Sequence, residues 1–188
     1  HRRCPLRYRR GMLALRPAVA ADVPLLTEWA HRPHVIRACT DDPTATEAWQ
    51  DADWADEVAK RERLGADVYE ILIAERAGRP IGMIAVQDAH REPDHYWGDV
   101  DPGVRALDIW IGEPDLLGQG HGSDMMRQAI ARCFAEPAAT SIVIDPLASN
   151  TDAHRFYRRL GFVDVETRRF DGGDDCLVMR LDRPADAG

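Results

Sequence analysis

Apolar positions change period several times along the chain, and each change marks an element. Residues 12–17, Met-Leu-Ala-Leu-Arg-Pro, alternate and stop at a proline, which predicts a short first strand. Asp22 stands where it can cap a helix over residues 23–31, with Pro24 tolerated in the first turn. From Thr44 to Leu64 the apolar Trp49, Val58 and Leu64 recur among many charges and Gly65 follows, the pattern of a long amphipathic helix with room for a break. Val68 to Ala74 and Ile81 to Val86 are apolar runs joined by Gly78-Arg-Pro80, which predicts a short-armed β-hairpin. The polar stretch from Gln87 to Gly103 is long for a connection inside a compact domain, so it is expected to be a binding loop.

The second half is patterned more sharply. Ala106 to Ile111 alternates strictly, placing Leu107, Ile109 and Ile111 on one strand face and Asp108 and Trp110 on the other. Met125, Met126, Ala129, Ile130, Cys133 and Phe134 make a broad stripe at helical spacing. Ser141 to Asp145 is a short buried strand with a carboxylate at its end. Asn150 can cap a helix in which Ala153, Phe156, Tyr157 and Leu160 share a face, and Gly161 ends it. Residues 162–170 and 176–181, joined through Asp171-Gly-Gly173, predict a closing hairpin. The order β-α-α-β-β-β-α-β-α-β-β is that of an α/β (α+β) fold around a mixed, mostly antiparallel sheet flanked by helices. Residues 106–145 form one central βαβ unit.

At 188 residues this is the size of a single domain, expected over residues 12–182 with a tail at 183–188. Residues 1–11 carry five Arg and no acid, and they read as a disordered or non-native leader. Without them 19 basic residues stand against 32 acidic ones, a net charge of −13. Such a body repels nucleic acid and attracts cations. No apolar run reaches the length of a membrane span. The four Cys have no metal or redox spacing, which predicts free thiols, a cytoplasmic location and no metal site.

The chemistry begins at Leu117-Gly-Gln-Gly-His-Gly122. A helix N-terminus reached through glycines presents unpaired N–H groups that a ligand can approach, an anion site. A P-loop is excluded because no Gly-Lys-Ser/Thr follows, and a dinucleotide fingerprint fails because Ser123 stands where a glycine is needed. Together with the strand ending at Ile111 and the segment from Asn150 through Tyr157 to Gly161-Phe162, the turn resembles the acyl-CoA core of the GNAT acetyltransferase superfamily. That resemblance implies acetyl-CoA as co-substrate. It makes Ile109, Trp110 and Ile111 pantetheine contacts and the turn residues Leu117, Gly118, Gln119, Gly120, His121, Gly122 and Ser123 a phosphate cradle. Asn150 and Ala153 then touch the cofactor, and Tyr157 protonates the departing thiolate. Leu117 stands where the family usually has Arg or Gln, which leaves phosphate binding to the backbone.

Asp101-Pro-Gly-Val-Arg105 with Asp108, Asp145-Pro146 before Asn150, and Trp29-Ala-His-Arg-Pro-His34 are similar to aminoglycoside 6'-N-acetyltransferases, bacterial resistance enzymes. The resemblance implies that Asp101, Asp108 and Asp145 bind the ammonium groups of a polycationic aminoglycoside, with Trp29 beside them, while Trp97 reads equally well as a wall of that site or as a buried anchor for its loop. An Asp at its usual pKa of ~3.9 is ionised at pH 7, as such a ligand requires. Asp108 is the candidate to orient the amine and take its proton late. The paired Trp of those enzymes is replaced by Ala38-Cys39, so a different drug range is expected. The remaining histidines, His90, His95, His121 and His154, read as exposed or loop residues. Glu92, Asp94 and Asp99 read equally well as added negative potential or as a solvated loop. The rival readings are a GNAT enzyme acting on a siderophore hydroxylamine or a protein N-terminus, and a CoA-binding module without turnover. A monomer and a homodimer are both compatible with the sequence.

Overall fold

The computed structural model describes residues 13–42, 52–170 and 173–185. The leader, Met12, Trp49 and the first part of the 44–64 helix, Asp171-Gly172 and the last three residues lie outside these. Strand β1 (Leu13–Pro17) is followed by helices α1 (Val23–Ala30), α2 (Pro33–Cys39) and α3 (Trp54–Leu64). Then come β2 (Tyr69–Arg76), β3 (Arg79–Asp88), β4 (Val104–Ile111), α4 (His121–Ala135), β5 (Ser141–Ile144), α5 (Thr151–Arg159), β6 (Val163–Arg169) and β7 (Asp175–Asp182). The strands form one sheet in the order β1-β2-β3-β4-β5-β7-β6, with β4 and β5 parallel and the other neighbours antiparallel.

The two sheet faces bury different residues. On one, Leu72, Ile84, Leu107, Ile142, Ile144 and Met179 meet the apolar stripe of α4 and Tyr157 of α5. On the other, Tyr69, Ile71, Ile73, Met83 and Trp110 meet Leu26, Trp29, Val35 and Trp54 of α1, α2 and α3. Being covered on both sides, β2 and β3 read as nearly continuous apolar runs. The helix α2 escaped the sequence pattern because it is seven residues long and buries only Val35. Asp22 precedes α1 but makes no side-chain cap. Its carboxylate instead takes a forked pair from Arg16 at 2.7 and 2.8 Å and the Val19 amide at 2.9 Å.

The β2–β3 connection is tighter than Gly78-Arg-Pro80. Ala77 and Gly78 have φ of 52° and 78°, a two-residue turn with both central residues left-handed. Arg79 and Pro80 belong to β3, and Pro80 faces Glu75 at a register shift, where a missing N–H is tolerated. The 89–103 loop is anchored at its root by Asp88 and Arg105, a buried ion pair on facing positions of β3 and β4. A third cluster of Trp97, Phe170, Val143 and Leu147 pins its middle against the sheet.

Candidate active site

The site grows out of one break in the sheet. β4 pairs with β3 along its whole length, from Arg105 to Ile111, but with β5 only over Val104, Arg105 and Ala106. Beyond that point the two strands part. The gap opens into a cavity of about 1020 Å³ lined by Leu107 to Ile111 on one side and Ile144 to Leu147 on the other. One end is closed by the glycine turn and α5, the other by α3 and the 89–103 loop.

At the first end, Gly118 and Gly120 have φ of 70° and 87°, and a Cβ built on either would meet nothing within 4 Å. The backbone there is both left-handed and open to a ligand. Within α4 the Asp124 amide is bonded to the Gly120 carbonyl, while those of His121, Gly122 and Ser123 have no backbone acceptor among the described residues. Asn150 caps α5, its Oδ1 accepting from the Ala153 amide at 3.1 Å, and Asn150, Ala153, Phe156, Tyr157 and Arg159 line the same wall. Free amides, open glycines and a nearby cation suit a phosphate-bearing ligand such as coenzyme A.

At the other end, Asp108 on β4 and Asp145, the residue after β5, line the cavity together. The Tyr96 hydroxyl donates to Asp145 at 2.6 Å, and the Tyr96 ring stacks on Phe170 at 4.5 Å with 9° between planes. Burial, then the charge of Asp145 and that of Glu57, pushes Asp108 up to about 7. Burial pushes Asp145 up to about 6 against the pull of Tyr96's hydrogen bond. The expectation of acids at ordinary pKa is therefore corrected for these two, because they share a desolvated pocket. Burial and the same two carboxylates hold the Tyr157 phenol above its usual range, so it stays protonated. The Cys39 thiol, pushed up to about 12 by burial and then by Asp108 and Asp145, also lines the cavity and is not a thiolate at neutral pH.

Several expected ligands are placed differently. Trp29 is completely buried and donates to Glu113 at 2.9 Å, so it is a core anchor with no face to offer an acceptor. His34 donates to the Ile111 carbonyl at 2.8 Å and ties α2 to β4. Asp101 is exposed and outside the cavity lining. Trp97 does line it, but buried to 4% exposure it mainly fixes the loop. Trp110 turns its ring into the core edge-to-face against Trp54, and its backbone faces Met83 of β3, so the β4 backbone turned toward the cavity is that of Ile109 and Ile111. Leu117 is exposed, and Gln119 donates to the Asp115 carbonyl at 2.6 Å. His121 and His154 are buried on helices, not exposed: His121 accepts from Arg76 at 3.2 Å and His154 donates to the Leu147 carbonyl at 2.9 Å. Glu92 is buried and accepts the amides of Asp94 and Tyr96 at 2.9 and 2.7 Å, so its carboxyl oxygens hold the loop together.

Glu57, Lys60, Tyr69, Tyr96 and Arg159 also stand on the cavity wall, although nothing in the sequence marked them as site residues. Glu57 and Lys60 sit among many charges on an amphipathic helix, where no local signal separates a cavity-facing residue from a solvated one.

The model of the acetyltransferase (GNAT) domain family matches residues 18–170. An aminoglycoside N(6')-acetyltransferase type 1 of Klebsiella pneumoniae is 30% identical over 164 residues, which span 80% of this chain and 73% of the relative. A kanamycin resistance protein of Rhizobium radiobacter is 36% identical over 72 residues, 38% of this chain and 67% of that protein. Among solved structures, aminoglycoside acetyltransferase AAC(6')-Ib in complex with ribostamycin and coenzyme A aligns with a TM-score of 0.75 at 28% identity, covering 91% of this chain and 93% of that one.

Proposed function

Because this chain belongs to the GNAT acetyltransferase family, we propose that it transfers the acetyl group of acetyl-CoA to the 6'-amino group of aminoglycosides in the bacterial cytoplasm, and so confers resistance to them. The observation that carries the acceptor assignment is the pair Asp108 and Asp145 facing one cavity where β4 and β5 part. A desolvated carboxylate pair is costly without cations to meet it, and a polycationic acceptor brings them. A hydroxylamine acceptor has no need of that charge.

Acetyl-CoA supplies a thioester carbonyl open to attack. The unpaired amides of His121, Gly122 and Ser123 take its pyrophosphate, and the free edge of β4 at Ile109–Ile111 takes the pantetheine arm and polarises the carbonyl. Asp108 and Asp145 hold the acceptor's amine against that carbonyl. A carboxylate favours the ammonium form, which has no lone pair, so attack comes from the neutral amine: Asp108 orients it and takes the proton from the nitrogen that becomes cationic as the C–N bond forms, and its raised pKa suits it to do so at neutral pH. Tyr157 donates its phenolic proton to the departing thiolate.

Arg159 adds what Leu117 does not supply. Its neighbours Arg155 and Arg158 are paired with Asp152 and Asp164, whereas Arg159 has no ion pair among the described residues. It is placed to meet a phosphate of acetyl-CoA. Arg159→Gln is expected to raise KM for acetyl-CoA about 2–5-fold, the worth of an exposed ion pair of up to ~1 kcal/mol, and to leave acceptor KM alone.

Thiol release at saturating acetyl-CoA tests the acceptor. Release is expected with kanamycin and amikacin, and not with a peptide or with gentamicin components that lack a primary 6'-amine. Absence of release with every aminoglycoside overturns the assignment.

A further inference from the structure

Lys60 is the one positive side chain among the described residues that line the acceptor end of the cavity. Its ammonium lies 2.7 Å from Glu57 Oε1, 3.5 Å from Asp94 Oδ2 and 5.1 Å from the centre of the Tyr69 ring. Glu57 is held in turn by the Tyr69 hydroxyl, which donates to Oε2 at 2.5 Å. Side-chain exposure is 18% for Lys60 and 16% for Glu57, so the pair is largely withdrawn from solvent. A carboxylate, a second carboxylate and an aromatic face are the groups that recognise an amine cation. The Lys60 side chain therefore occupies a cation subsite at the rim of a cavity in which Asp108 and Asp145 form another.

We propose that Lys60 is a resident cation of the acceptor site, which a second ammonium group of the acceptor displaces from Glu57, Asp94 and Tyr69. The proposal rests on the polycationic acceptor assigned above. Lys60 then takes no part in acetyl transfer. It sets affinity and selectivity, because an acceptor gains this subsite only by evicting a tethered lysine that is present at high effective concentration. A long flexible stem lets the lysine swing out to solvent when it is displaced.

The test compares Lys60→Gln, Lys60→Arg, Glu57→Gln and the Lys60→Gln/Glu57→Gln double variant, by acetylation kinetics and by calorimetric binding of kanamycin. Lys60→Gln is expected to lower both acceptor KM and Kd about 3–10-fold, with the effect on KM and not on kcat, while Lys60→Arg stays near the parent. Glu57→Gln is expected to weaken the acceptor more strongly in the Lys60→Gln background than in the parent, because Lys60 no longer offsets that charge. If Lys60 is only a tether between α3 and the loop, Lys60→Gln raises KM or leaves it unchanged and the two substitutions add, and the proposal falls. A failed acceptor assignment reads differently. No variant then acetylates an aminoglycoside, while spermine, a polycation of another class, still binds Lys60→Gln more tightly than the parent if the resident-cation reading holds, and equally or more weakly if it does not.

Discussion

Asp108 and Asp145 hold more protons in the folded chain than an ordinary Asp does near neutrality, because burial and mutual repulsion disfavour two charges in one pocket. An ammonium ligand reverses that preference. Acceptor binding near pH ~6.5 is therefore expected to release protons, measurable by calorimetry in buffers of different ionisation enthalpy, and Asp108→Asn should reduce the release. Binding without release would exclude the raised pair. The same shift has a stability sign. An acid raised in the fold contributes most below the usual ~3.9 and loses that contribution as pH rises through about 6 to 7. Asp108→Asn should thus raise the melting temperature at pH ~8, with the gain shrinking toward pH ~4. Tyr157, kept protonated by burial, makes a separate prediction: Tyr157→Phe slows kcat by about 10²-fold or more, with acceptor Kd little changed. Unchanged turnover would remove it as the proton donor.

The elements around the site are fixed by contacts that no local pattern announces. Gly112 follows β4, and a Cβ there would lie 2.1 Å from the Trp29 ring. That ring is fully buried and bonded to Glu113, which also meets Arg79 at 3.0 Å and Arg32 at 3.5 Å. Gly112→Ala is accordingly expected to cost about 1–3 kcal/mol or more in urea unfolding, as an overpacked core does, and a neutral effect would show that α1 can shift off β4. Trp29 thus shapes the site from behind. Its place beside His34 in the sequence resembles a drug contact, yet burial decides its role. The alternation of Leu107, Asp108, Ile109, Trp110 and Ile111 was readable because a strand's period is two, whichever strands pair with it. The parting of β4 and β5 was not, because it depends on where two distant segments cease to hydrogen-bond.

For the molecule as a whole, the acidic balance of residues 12–188 favours a cationic acceptor over long range. KM for kanamycin is expected to rise steadily with ionic strength between ~50 and ~300 mM salt while KM for acetyl-CoA, an anion, does not rise in parallel; equal responses would assign the salt effect to folding or turnover. Periodicity and capping within short stretches were sufficient for the strands, for the helices other than α2, for the βαβ unit and for the glycine turn, whereas Asp108, Asp145, Asn150 and Tyr157 were singled out by the resemblance of their motifs to the acetyltransferase core. The insertion of β7 between β5 and β6, the enclosure of Trp29, the exposure of Asp101, the raised pKa of the acid pair, and the arrival of Tyr96, Lys60 and Arg159 on one cavity wall depended on tertiary packing. Burial and charge proximity are properties of neighbours brought together from far along the chain, and only the folded arrangement assigns those neighbours.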